Sequence, residues 1–134
     1  MKIRGIFVDV MSDNCGIKEV EITDELEDLY RLLGVDCIDI VTRKIGNRTY
    51  DIVCDDEALL KDNPVPSMYN RTNNSYEFRA MLFGNLFICK NKGASLVSLE
   101  DSDIPHIMKN TLRVKRKDKA IYQAIGNGDY PNYG

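Results

Sequence analysis

Met81-Leu82-Phe83-Gly84-Asn85-Leu86-Phe87-Ile88-Cys89 is the most apolar stretch of this 134-residue chain. It reads as a central strand, its Gly84 marking a bulge, a turn or a close backbone approach. Upstream, Val35 opens a strand-like run to Ile45, and a second run extends from Arg48 to Cys54. The Gly46-Asn47 link between them suits the primed turns whose twist matches a hairpin. In that hairpin Ile38 and Ile40 share a face, as do Tyr50, Ile52 and Cys54, while Asp39, Arg43, Thr49 and Asp51 fall on the other faces. One side is expected to be covered and the other partly wet.

Further out, residues 1–10 and 17–22 read as two strands separated by the turn chemistry of Ser12-Asp13-Asn14-Cys15-Gly16. Asp24 with Glu27 resembles a capping box. Leu26, Leu29, Tyr30 and Leu33 then make one apolar helical stripe that Gly34 ends. Asp55 to Lys61 reads as a short helix, and residues 63–77 as a polar connector with Pro64, Pro66 and several asparagines. After a short edge strand at residues 95–99, a second helix starts near Asp101 or Ser102. Its stripe is Ile104, Ile107, Met108 and Leu112, and Pro105 is tolerated in its first turn. The expected fold class is α+β: a small antiparallel-rich β-sheet with two to three helices packed on one face. Residues 1–112 form the single domain, and 113–134 a basic, then Gly/Asn/Tyr-rich, C-terminal extension.

Composition narrows the function. Hydrophobic residues make up 43% and charged residues 29%, enough for a core, and the formal charge is −3. That balance excludes a strongly basic nucleic-acid binder. No apolar run reaches the ~20 residues of a membrane span, and no signal-peptide pattern opens the chain, so a cytoplasmic protein is expected. The charge is unevenly spread: residues 1–104 carry 12 basic and 19 acidic side chains, a net −7, and residues 105–134 carry 6 and 2, a net +4.

Three clusters bear on binding. Glu19, Glu21, Asp24, Glu25, Glu27 and Asp28 form an acidic patch suited to a basic protein surface. Asp51, Asp55, Asp56 and Glu57 offer oxygen ligands for a hard cation, but read first as helix-start chemistry. Arg113, Lys115, Arg116 and Lys117 suit phosphate contacts, or the solvated C-terminal end of a helix. His106, about 200° round the helix from Ile104, reads as a surface side chain rather than a general base. Cys15, Cys37, Cys54 and Cys89 show no paired spacing and read as free thiols rather than disulfides or, with His106, a zinc set. No catalytic residue, cofactor or metal is assigned, and no phosphate-loop, dinucleotide or hydrolase motif is present.

Cys37-Ile38-Asp39-Ile40-Val41, Ile45-Gly46, Tyr50 to Glu57 and Gly84-Asn85-Leu86-Phe87-Ile88 resemble a domain-of-unknown-function family of small proteins found on phages, plasmids and conjugative elements of Gram-positive gut bacteria. The similarity covers roughly residues 3 to 112. It departs at the polar insert of residues 70–79 and at Ile104-Pro105-His106. The resemblance brings no catalytic or binding residues. It implies a non-enzymatic interaction protein that binds a host or mobile-element protein, such as an inhibitor of a CRISPR effector or another defence system. Two alternatives stand beside it. One is a small-ligand or nucleotide-binding module that uses residues 63–77 as a lid over the apolar strand. The other is a nucleic-acid binder working through the basic C-terminal segment.

Overall fold

The computed structural model describes residues 2–61, 63–70, 81–116 and 119–124. In chain order they form β1 (Lys2–Asp9), β2 (Gly16–Thr23), α1 (Leu26–Leu33), β3 (Ile38–Ile45), β4 (Arg48–Asp55), a 3₁₀ turn (Ala58–Leu60), β5 (Pro66–Asn70) and β6 (Leu82–Phe83). Then come β7 (Leu86–Lys92), β8 (Ser95–Val97), α2 (Asp103–Lys109), β9 (Thr111–Arg116) and β10 (Lys119–Ala124). The first sheet has the order β2-β1-β7-β4-β3, with β8 paired to the end of β7. Every pairing in it is antiparallel. The second sheet runs β6-β5-β10-β9, and its β5–β10 pair is parallel.

The apolar stretch at 81–89 is two strands rather than one. It breaks at Gly84-Asn85, where Gly84 N–H donates to Val65 O (2.7 Å) and Asn85 Oδ1 accepts Val10 N–H (2.9 Å). The second of the two, β7, is central as expected. Its side chains alternate between two separate cores, as a period of two requires. Leu86 and Ile88 join Ile6, Val8, Tyr50 and Ile52 on one face; Phe87 and Cys89 join Ile3, Phe7 and Val53 on the other. Both faces of the sheet are therefore covered.

The helices do not share a face. Leu29 and Leu33 of α1 cover the Phe87 side, whereas Ile107 of α2 and the second sheet cover the Ile88 side. This differs from the single helical face expected, because a strand that is apolar on both faces must be shielded twice. The register also corrects the hairpin reading. Ile40 lies opposite Val53, and Val41 opposite Ile52. Ile38 thus shares a face with Val53, while Tyr50, Ile52 and Cys54 face the opposite core.

Close packing explains one glycine. A Cβ on Gly5 would sit 2.5 Å from the Phe87 ring and 2.5 Å from Ile88 O, so the missing side chain is what lets the ring lie across β1. The helix ends obey local chemistry. Gly34, in the left-handed region, closes α1 by donating its N–H to Tyr30 O (2.8 Å). At the other end the expected Asp24–Glu27 box is replaced by a Thr23–Asp28 exchange. Asp28 accepts both the Thr23 N–H and its hydroxyl, and Thr23 Oγ1 accepts the Glu25 N–H.

The boundary at residue 112 is not where the fold ends. β9 continues from α2 as a strand, and β10 places Ile121, Tyr122 and Ala124 among the buried residues. The remainder of the expected extension, residues 125–134, lies outside the described residues, as does the insert at 71–79. No helix among the described residues is long and apolar enough to cross a membrane.

Candidate functional site

The acidic patch occupies the outer edge of the first sheet and the turn into α1. Glu19, Glu21, Asp24, Glu25 and Glu27 are solvent-accessible, while Asp28 is half-buried and committed to Thr23 and to Arg31 (3.1 Å). The Thr23 hydroxyl and N–H hold the Asp28 carboxyl below the usual carboxylate range. Alternation along β2 divides the patch. Val20 and Ile22 pack toward α1, so Glu19 and Glu21 project to the opposite side, where Glu21 meets Lys2 at 3.5 Å. The result is an acidic rim around a sheet edge rather than one flat face.

The second cluster does not assemble. Asp51 and Asp55 share β4 but stand about 13 Å apart at 3.3 Å per residue. Asp51 is buried and accepts from Thr42 Oγ1 (3.2 Å) and Asn91 Nδ2 (2.7 Å). Asp55 instead accepts the Glu57 N–H (2.9 Å) and pairs with Lys61 (3.3 Å). Asp56 and Glu57 are exposed beside Cys37, whose thiol is pushed up by its contact with Glu57. Among the described residues no group of His, Cys, Asp and Glu converges as a metal site. The thiols are free, and Cys54 and Cys89 belong to opposite cores of one sheet. Burial pushes them up to about 11 and about 12, as inert thiols in apolar surroundings behave.

The basic run is a strand, not a helix end. Arg113, Lys115 and Arg116 lie on β9, the outer strand of the second sheet, and Lys117 is outside the described residues. His106 also differs from expectation. It is half-buried, and its Nε2 bonds Ile45 O (2.8 Å) while Asn110 Nδ2 stands 3.4 Å from Nδ1. The imidazole covers the Gly46 turn, where a Cβ would meet it at 2.6 Å. Its place is on the β3–β4 hairpin, which the helix alone did not reveal.

One buried polar cluster among the described residues was not announced by the sequence pattern. Asp103, with no exposed surface, takes four donors at the start of α2. Arg48 Nη1 (3.0 Å) and Tyr50 Oη (2.8 Å) donate to Oδ1, and Lys90 Nζ (2.8 Å) and the Glu100 N–H (2.8 Å) donate to Oδ2. Arg4 extends the clamp to Leu99 O (3.0 Å) and Asp101 (2.8 Å). Burial pushes the Asp103 carboxyl up, but the Lys90, Glu100, Tyr50 and Arg48 bonds outweigh it and bring it down to about 2. Burial first, and then Asp103, raise the Tyr50 phenol. A carboxylate has about four acceptor positions, and all of these are filled, so the cluster fixes the loop at residues 98–103 onto β1, β4 and β7.

A groove lies between the end of α1 and the chain at 63–65, lined in part by Leu33, Val35, Ala58, Pro64, Val65 and Asn85. Its volume of about 60 Å³ is well under the ~300 Å³ that small-molecule sites begin at. Residues 66–70 of the expected lid form a strand of the second sheet instead.

A family model for a domain of unknown function, DUF3846, matches residues 3–112. The chain belongs to that family. The match takes in both faces of the first sheet, the Asp103 clamp and α2, and it stops at the second residue of β9 (Thr111–Arg116). No curated protein and no solved structure matches the chain.

Proposed function

We propose that this DUF3846 chain acts by binding a protein partner, without chemistry of its own, and that the acidic rim of β2 and α1 is its contact. The observation that carries the reading is the accessibility of Glu19, Glu21, Asp24, Glu25 and Glu27, five carboxylates in nine residues, with Lys2 meeting Glu21 at 3.5 Å. Clustered like charge raises the electrostatic energy of the free protein and is relieved by a basic surface, which also steers the encounter. The likeness to small proteins of phages, plasmids and conjugative elements supports a cytoplasmic partner in host defence, such as a CRISPR effector, whose nucleic-acid channel is basic. The test is affinity capture from the native host with the wild-type chain and with a variant reversing those five charges. A partner retained by the first and lost by the second, with the melting temperature unchanged, is the expected result. Equal capture by both removes the reading.

A further inference from the structure

The molecule carries two outer strands of opposite charge on two different sheets. β2 ends the first sheet and β9 ends the second, and among the described residues neither has a neighbour on its outer side. Glu19 and Glu21 alternate along β2, and Arg113 and Lys115 alternate along β9. Glu19, Glu21 and Arg113 are exposed, and Leu112 is 50% exposed.

Laid antiparallel, the two strands match position by position. Thr23 falls opposite Thr111, Ile22 opposite Leu112, Glu21 opposite Arg113, Val20 opposite Val114 and Glu19 opposite Lys115. Directly opposed acid–base pairs and apolar pairs are the units that stabilise an antiparallel ladder. Only the end pair, Lys18 with Arg116, sets like charges together. Other pairings of the same edges fit worse. Two β2 strands centred on Val20 would set Glu19 against Glu21. β3, at the far edge of the first sheet, offers β9 one acid, Asp39, alongside Arg43 and Lys44.

We propose that copies of this chain associate head to tail, with β9 of one adding to β2 of the next in this antiparallel register. Such an interface is heterologous, so every added copy leaves one acidic and one basic edge open, and association grows with concentration unless a ring closes. The net −7 and +4 of the two parts of the sequence give the attraction its sign. The proposal does not rest on the partner reading above; both use Glu19 and Glu21, but the purified chain alone decides this one.

Sedimentation of the purified full chain over a wide concentration range tests it, with three charge variants as controls. Wild type is expected to grow beyond a dimer, with the apparent affinity falling roughly tenfold or more at high salt. E19K/E21K alone and R113E/K115E alone are expected to stay monomeric and folded by circular dichroism. Mixing the two, or combining all four substitutions in one chain, is expected to restore association, since the opposed charges are complementary again. A wild type that stays monomeric at millimolar concentration overturns the proposal. So does association that both single-edge variants keep, or failure of the folded mixture to recover it.

Discussion

Tyr50 Oη donates to Asp103 Oδ1 across 2.8 Å in the interior, joining the middle of β4 to the first residue of α2. The same carboxylate takes Arg48 and Lys90 from two neighbouring strands, so one buried charge ties α2 to the sheet. Removing a partner from a buried, hydrogen-bonded charge costs more than the net worth of the pair, because the desolvation penalty remains. Asp103→Asn is expected to lower stability at neutral pH by about 3 kcal/mol, read by urea denaturation. Tyr50→Phe, which leaves the ion pairs in place, is expected to cost about 1–2 kcal/mol.

The clamp also predicts an acid limb. Asp103 is held at about 2 against an ordinary 3.8. A depressed carboxylate contributes stability above its unfolded value and loses it as pH falls through the folded one. The stability difference between wild type and Asp103→Asn should therefore shrink by about 2 kcal/mol between pH 5 and pH 2. Urea melts across that range check it; a difference that does not change with pH would refute the assignment of the charge to Asp103.

Gly5 and Phe87 form a second coupled pair. Because a Cβ on Gly5 would overlap the ring at 2.5 Å, Gly5→Ala is expected to cost about 2–3 kcal/mol as overpacking. Phe87→Leu shortens the side chain at the point of overlap and should recover part of that loss. A double-mutant cycle measures it, and strictly additive costs would show that the ring and the glycine do not oppose one another.

Gly46 carries two separate constraints that can be divided. Its φ of +65° is in the left-handed region, and His106 Nε2 lies 2.6 Å from where a Cβ would stand. In the wild-type background Gly46→Ala should cost about 1 kcal/mol for the backbone, with more for displacing the imidazole from Ile45 O. In His106→Ala the backbone cost should remain together with the lesser crowding of Asn110 Cγ, 3.0 Å from the Cβ position, and thermal melts of the four proteins separate these from the imidazole's share.

What the sequence made legible was local. The Gly46-Asn47 turn and the stripe of α1 depend on neighbours within a few residues; the turn stands, and of the stripe Leu29 and Leu33 are buried while Leu26 is 56% exposed. The faces of the hairpin were misread because alternation was followed within each strand alone, although the two-residue Gly46-Asn47 link already sets Ile40 opposite Val53. His106 was misplaced for a similar reason. An angle measured on its own helix says nothing about the β3–β4 turn that lies alongside. The acidic rim was visible as charge, but its division between two sides comes from the alternation of Glu19 and Glu21 with Val20 and Ile22. The Asp103 clamp joins residues more than 50 positions apart, and its one sequence signal was Lys90, a charge ending an otherwise apolar run.

The C-terminal strands give the last prediction. The family match ends at residue 112, yet Tyr122 and Ala124 lie in the same core as Met68, Leu82 and Ile107. Tyr122 stands opposite Met68 in a parallel pair formed by residues 54 positions apart, which no hairpin signal announces. A chain stopped at residue 112 would leave Met68 and Leu82 uncovered and β5 without its β10 partner. Each buried side chain of that size contributes about 2 kcal/mol, and a domain's whole margin is only about 5–15 kcal/mol. The truncated chain is therefore expected to lose its cooperative thermal transition and to bind a hydrophobic dye, whereas Tyr122→Ala in the full chain should melt cooperatively at a lower temperature. A cooperative melt of the truncated chain at the wild-type temperature would show that the family match is a complete folding unit and that β10 only rests against it.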